Sequence, residues 1–297
     1  MNSMDHKKLS RHAKAHSLHD IQRMLASFED DILPNIASKD EILHRARQRQ
    51  LKKKAAGASA LALCGLLLGT YCYNPAYQQY ELATARGEQA SIRLRDGSQI
   101  MLNTDSHVRV QERLRSREIT LSRGEAGFHV AHAQHPLLRR FERSFQVSAG
   151  EMLIIDIGTV FNVQKHSAAD ASVTVLEGEV AVGIQGAEAP LIHLIQGQSL
   201  SNQQRRLNAP ALANLDAVQA WQTGHIVFDR TPLPAALKNF QRYADFNVQI
   251  QDAELKDLQI NGQFKIHNYQ HFMQVLPYVA AVRVEQTAAK EWKIAKK

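Results

Sequence analysis

The histidines at 129, 132 and 135, in Phe128-His-Val-Ala-His-Ala-Gln-His135, come nearest in this sequence to a spaced set of chemically active side chains. Imidazoles brought together could hold a zinc ion. In an extended chain successive side chains alternate faces, so His129 and His132 point to opposite sides, and no carboxylate stands among the three to complete a set. The segment therefore reads as a strand end and a loop that tolerates histidine, with no metal and no cofactor assigned. Elsewhere there is no His-Glu-x-x-His, no Walker loop, no Gly-x-Ser-x-Gly and no Cys-x-x-Cys. Five further histidines (His6, His12, His16, His19, His44) are scattered through the N-terminal region and read as solvated side chains. Without a nucleophile or an acid-base pair, the sequence points away from an enzyme.

The charge pattern says more. The chain of 297 residues carries a formal net charge of +7, which in another arrangement would suggest nucleic acid. Here Arg45, Arg47, Arg49, Lys52, Lys53 and Lys54 fall in one short stretch with no acidic residue among them. Such a block beside an apolar run is a juxtamembrane cluster, and no direct nucleic-acid contact is expected. The 44% hydrophobic share is ordinary for a globular protein with a core. Only Cys64 and Cys72 are present, both in or at the edge of the apolar run, so no disulfide framework can staple the long C-terminal region.

The apolar run is Ala55 to Tyr73, AAGASALALCGLLLGTYCY, without a charge. Its length is about the ~20 residues that a helix needs to cross ~30 Å of hydrocarbon. A cleavable signal peptide would place its basic region at the extreme N-terminus, whereas a long segment precedes this run. The Lys52-Lys53-Lys54 stretch also lacks the paired arginines read by the twin-arginine route. The basic cluster before the run and the mixed charge after it (Glu81, Arg86) place the N-terminus in the cytoplasm by the positive-inside rule. The expected protein is single-pass, with the chain beyond about Asn74 outside. Glycines at 57, 65 and 69 suit close helix packing, or a span that unwinds readily for an intramembrane protease.

The cytoplasmic head, 1–54, is predicted to hold two helices. Ser17 can cap the first, which runs to about Asp30 and carries Leu18, Ile21, Leu25 and Phe28 as an apolar stripe, with Met24 beside it. Ser38 followed by Glu41 is a capping-box pattern that opens the second. So small a head buries too little surface to stand confidently alone, so the stripe is a candidate contact surface for a partner, self-association being the alternative.

Beyond a short linker, 74–86, Ile92 and Leu94 precede Asp96-Gly97, with Ile100 and Leu102 after it. Period-two alternation around Asp-Gly is a strong hairpin signal. Similar short strands recur, among them Val108/Val110, Ile119/Leu121, Phe145/Val147, Val173/Val175 and Val180/Val182, punctuated by Gly97, Gly124, Gly150, Gly178 and Gly197. Residues 87–202 thus read as an all-β sandwich or solenoid-like domain. After a second linker, 203–220, residues 221–297 change character. A strand at Ile226 to Phe228 precedes a helix opening at Thr231-Pro232 with Leu233, Ala236, Leu237 and Phe240 at helical spacing. Strands at 248–250 and 260–266 are followed by a helix capped by Asn268, then by Val282/Val284 and Trp292/Ile294. The order is βαβ-βαβ, a small α+β domain.

The run Asp96-Gly-Ser-Gln-Ile-Met-Leu-Asn103, then Leu121-Ser-Arg-Gly124-Glu125-Ala-Gly-Phe128-His-Val130, then Phe145-Gln-Val147, then Gly158-Thr159-Val-Phe161-Asn-Val163, then Val175-Leu-Glu177-Gly178-Glu-Val180 and Gly197-Gln198 resembles, in order, the FecR family of sigma-factor regulators. The C-terminal part resembles the small secretin/TonB short N-terminal domain. The quoted glycines and their neighbours look like fold determinants rather than catalytic groups. The resemblance implies a multidomain signal transducer of the bacterial inner membrane. Its head would contact an extracytoplasmic-function sigma factor. Its outer part would meet the signalling domain of a TonB-dependent outer-membrane receptor, usually one importing an iron chelate, by strand addition at a sheet edge. Envelope proteases would relay the signal by stepwise cleavage, the second cut falling in the span. The head contains no tryptophan, where such regulators usually carry one. The alternative is a membrane-anchored scaffold without sigma-factor contact.

Overall fold

The computed structural model describes residues 18–32, 38–132 and 142–297, with only the backbone path given for 27–32. Ser17, the Phe28 side chain and His135 lie outside the described residues. The chain divides into two compact units after Gly69.

In the first unit, α1 (Leu18–Ile32) displays Leu18, Ile21, Met24 and Leu25 to solvent. The second helix, α2 (Lys39–Tyr73), is continuous through the basic cluster and the apolar run. At ~1.5 Å per residue its 35 residues extend over ~52 Å. Two separate elements were expected here; one forms, as no proline interrupts the sequence between Ser38 and Tyr73. Ser38 does cap it, its Oγ accepting from Glu41 N at 3.2 Å. None of its residues is buried, and it is the one described helix long and apolar enough to cross a membrane.

Helix α2 ends within the second unit. Asn74 takes a left-handed φ of +50° and its N–H donates to Thr70 O at 3.1 Å. Asparagine tolerates this conformation, and Pro75 forbids a further turn. Strands β1 (Ala76–Ala83), β2 (Ala90–Arg93), β3 (Gln99–Leu102), β4 (His107–Arg113), β5 (Ser116–Arg123), β6 (Glu125–His129), β7 (Ser144–Ala149), β8 (Met152–Asp156), β9 (Val160–Lys165), β10 (Ala171–Glu177), β11 (Glu179–Ile184), β12 (Ile192–Ile195), β13 (Gln198–Gln203), β14 (Arg206–Leu207) and β15 (Ala211–Leu212) follow. They form two sheets, β1-β4-β5-β7-β8-β11-β12 and β14-β13-β10-β9-β6-β3-β2, with β15 joined to β13. Pairing is antiparallel except between β5 and β7. One core is shared by Val108, Val110, Ile119, Phe145 and Ile154 from the first sheet and Ile100, Leu102, Phe128, Phe161 and Val173 from the second. Phe128 stacks on Phe161 at 5.0 Å and meets Phe145 edge-on at 6.1 Å. Of the two architectures left open, this is the sandwich.

The β2–β3 hairpin forms where alternation placed it, with Arg93 opposite Gln99. Its loop is longer than a two-residue turn. Leu94 N donates to Ser98 O at 2.8 Å, and Asp96 Oδ1 accepts from Ser98 N at 2.9 Å, leaving Gly97 at φ +92°. The expected linkers are structured. Residues 76–83 are edge strand β1, paired with β4, and 203–220 contributes β14, β15 and α3 (Leu215–Gln219) before a 3-10 turn that buries Trp221.

The C-terminal α+β domain runs β16 (His225–Pro232), α4 (Leu233–Gln241), β17 (Asn247–Ile250), β18 (Gln259–Lys265), α5 (Tyr269–Val279), β19 (Val282–Ala288) and β20 (Glu291–Lys296). Pro232 was expected as the first helical residue. It instead closes β16 opposite Gln259 and stands as the N-cap of α4, with Pro234 inside the first turn. Asn268 caps α5 as expected, accepting from His271 N at 3.1 Å. The strands divide into β16-β18 and β17-β20-β19, one strand more than βαβ-βαβ, so β17 and β19 each keep one edge unextended within the sheet. Phe228, Phe240, Phe264 and Phe272 knit the helices to the strands.

Candidate functional site

A buried polar network joins the sandwich to the C-terminal domain. Its centre is Glu125, the first residue of β6 and 5% exposed. Gly124 places it there. With φ at +83°, a Cβ on Gly124 would lie 2.2 Å from Ser106 Oγ, so only glycine fits and β6 starts tight against Ser106. Glu125 Oε1 accepts from Asn162 Nδ2 at 2.8 Å. Its Oε2 accepts from Asn103 Nδ2 at 2.8 Å and from Arg242 Nη2 at 2.5 Å. Arg242 caps the C-terminus of α4, and the next residue, Tyr243, meets Asn103 at 2.8 Å through its hydroxyl.

Backbone contacts widen the junction. Thr104 Oγ1 donates to Arg242 O at 2.9 Å, and Gln89 Nε2 donates to Trp221 O at 2.9 Å. Gly87, at φ +82°, lies where any Cβ would stand 2.9 Å from Tyr243 O. A polar cavity of about 260 Å³ runs beside the pair, lined by Glu125, Asn162, Trp221, Arg242 and Tyr243 among others.

The electrostatics are those of a lock. Burial alone would lower the Arg242 pKa, but the Glu125 carboxylate beside it holds the guanidinium above its ordinary value. Burial pushes the Tyr243 phenol up to about 12. A carboxylate accepting from two amides and a guanidinium is a satisfied acceptor, poorly suited to take a proton from a substrate. The network ties the two domains together.

The sequence-predicted residues take different places in the structure. Glu125 belongs to the network, and Phe128 and Phe161 fill the core. Gly97, Gly124, Gly158 and Gly178 are turn residues with left-handed φ; a Cβ on Gly178 would stand 2.0 Å from Gly158 O. Asp96 pairs with the buried Arg117, tying the β2–β3 loop to β5, while Thr159 is buried and donates to Asp156 Oδ1. Glu177 is exposed at the end of β10. Leu18, Ile21 and Leu25 lie on α1, in the other compact unit.

Arg242 and Tyr243 carried no motif and were not singled out; the only signal was their place directly after an amphipathic helix. The histidine segment also changes meaning. No carboxylate neighbours His132 in sequence, yet its Nδ1 lies 2.8 Å from Glu142 Oε2 and its Nε2 lies 2.9 Å from Asp156 Oδ2. His129, at the end of β6, is exposed. Among the described residues no group of three or more His, Cys, Asp or Glu side chains is arranged to hold a metal ion.

Comparison with known families bears directly on this junction. The family model described as FecR protein matches residues 80–181, and the one described as FecR, C-terminal, matches residues 225–291. The chain belongs to the FecR family. Glu125 thus lies in the FecR domain and Arg242 in the FecR C-terminal domain, so the network links the two family modules. No curated protein matches the chain. Two crystal structures of a proposed anti-sigma factor from Parabacteroides distasonis ATCC 8503 share its fold, with TM-scores of 0.59 and 0.58 at 19% identity. They cover 73% and 74% of this chain and 99% and 100% of their own.

Proposed function

We propose that this FecR-family chain is a single-pass sigma-factor regulator of the bacterial inner membrane. The carrying observation is the order of parts along one chain: an exposed apolar stripe on α1, a basic cluster running into an apolar helix, then the two FecR modules. The basic cluster orients the head to the cytoplasm. Leu18, Ile21, Leu25 and Phe28 are the proposed contact for an extracytoplasmic-function sigma factor. The likeness to a proposed anti-sigma factor supports the fold of the outer modules, and family membership supports the regulatory role.

On the outer side, the proposed partner is the signalling domain of a TonB-dependent receptor, with an iron-chelate importer as the usual case. The open edges of β17 and β19 suit main-chain strand addition. Cleavage by envelope proteases, ending in the glycine-containing span, would carry the signal inward. The test is to tag the full-length chain in its native cell, cross-link, and identify the cytoplasmic proteins that co-purify. Capture of a sigma factor that is lost in the Ile21→Ala/Leu25→Ala variant is the expected result. Capture unaffected by that variant would remove the stripe from the interface, and capture of no sigma factor would leave a membrane-anchored scaffold as the better account.

A further inference from the structure

The residue that ends the apolar helix also grips a β-turn that is distant in sequence. Asn74 Oδ1 accepts from Arg115 N at 2.8 Å, Asn74 Nδ2 donates to Ser116 Oγ at 2.9 Å, and Asn74 O accepts from Arg113 Nη1 at 3.2 Å. Leu114 and Arg115 form the tip of the β4–β5 hairpin. The Arg115 guanidinium lies over the ring of Tyr71, 4.8 Å from its centroid, and Tyr71 is part of the apolar run itself. The hairpin tip is thereby fixed beside the last turn of α2.

Three properties of the tip fit a bilayer surface. Leu114 is 49% exposed at the tip, where its apolar side chain is free to enter an interfacial layer. Tyr71, which lies under Arg115, is exposed, as are Tyr73 at the end of the same helix and Tyr77 at the start of β1, a grouping like the aromatic belts that mark membrane interfaces. Arg115 has no ion-pair partner among the described residues, whereas nearby Arg113 and Arg143 are paired with Glu118 and Glu112. An arginine stacked on an interfacial tyrosine keeps its donors available for a phosphodiester, which its planar fork suits.

We infer that the β4–β5 hairpin tip docks into the outer leaflet of the membrane, with Leu114 in the interfacial apolar layer and Arg115 on a lipid phosphate. The occupant is the phospholipid headgroup layer, because the tip is held against the end of the segment that would enter the bilayer. This rests on the reading of α2 as a membrane span. Docking would give the sandwich a second foothold besides the chain connection, so that a displacement of the FecR module would act on the end of the helix.

The experiment uses the full chain with Cys64→Ser and Cys72→Ser, reconstituted in nanodiscs of phosphatidylethanolamine and phosphatidylglycerol. A nitroxide is attached in turn to Leu114→Cys, Leu66→Cys within the apolar run, and the exposed positions Leu212→Cys and Tyr278→Cys. Collision with oxygen and with an aqueous nickel chelate reports depth. The expected result is severalfold lower nickel accessibility at 114 than at 212 and 278, abolished when Arg115→Glu is added. A label at 114 as accessible as those two controls, or one insensitive to Arg115→Glu, would overturn the inference. A label at 66 that is open to nickel would overturn the membrane reading and, with it, this inference, a result distinct from failure at 114 alone.

Discussion

Arg242 and Glu125 meet at 2.5 Å although 117 positions separate them, and they come from different FecR modules. The carboxylate is nearly fully buried and the guanidinium partly so. Removing one member of such a pair strands the other in a low-dielectric junction, which costs more than removing both.

Arg242→Met is therefore expected to destabilise the two-module unit by about 3 kcal/mol, while the double variant Glu125→Met/Arg242→Met recovers a substantial part of that loss. Trp221 lies in the junction and Trp292 in the C-terminal domain, and the chain has no other tryptophan, so urea unfolding followed by tryptophan fluorescence reads it directly. A single variant as stable as the parent would remove the pair as the tie between modules.

Tyr243 gives the junction an alkaline limit. The folded chain keeps the phenolic proton up to about pH 12, whereas in the unfolded chain the phenol titrates near 10. Stability present in full below pH 10 should thus fall away between pH 10 and 12, by up to about 2–3 kcal/mol from this residue. Tyr243→Phe should show a shallower decline across that window in urea midpoints measured at stepped pH. Some slope should remain, because burial raises the Tyr80 phenol to about 12 as well.

The turn glycines differ in what surrounds them. Gly178→Ala would drive a methyl group into Gly158 O, adding a steric clash to the strain of a left-handed residue. A loss of at least about 3 kcal/mol is expected. Gly186 has φ +68° with nothing near its Cβ position, so Gly186→Ala should lose only about 1 kcal/mol. Thermal melts of the two variants side by side test the distinction, and equal losses would mean that the close approach at Gly178 is relieved by movement.

Phe128→Ala removes the ring through which Phe145 of one sheet and Phe161 of the other share contacts. A loss of about 3–5 kcal/mol is expected, because a fully buried ring leaves a cavity that the two sheets cannot both close. Near-parental stability in denaturant titration would show that the sheets can close on the vacated space.

The local devices of this protein were legible in its residues because they depend on near neighbours. Alternation around Asp96-Gly97 marked a hairpin, and Ser38 and Asn268 marked helix starts. An uncharged run after a basic cluster marked a helix able to cross a membrane, and the ordered motifs pointed to the FecR family. Segments governed by distant partners were misread. Ala76–Ala83 reads as a linker by its sequence, and it is an edge strand because β4 pairs with it. Pro232 looked like a helix start because its pairing with Gln259 is set by β18.

The functional geometry belongs to that second kind. Glu125 was visible as part of a motif, but its role is set by Asn103, Asn162 and Arg242, which converge on it from three other elements. His132 acquires Glu142 and Asp156, and the Leu114-Arg115 turn acquires Asn74 and Tyr71, in the same way. Sequence by itself determined most of the helices and the core strands, since backbone preference and hydrophobic period act over a few residues. Tertiary structure alone decided which polar groups are buried together, because a charge is stabilised by whatever stands within a few ångströms of it, whatever its distance along the chain.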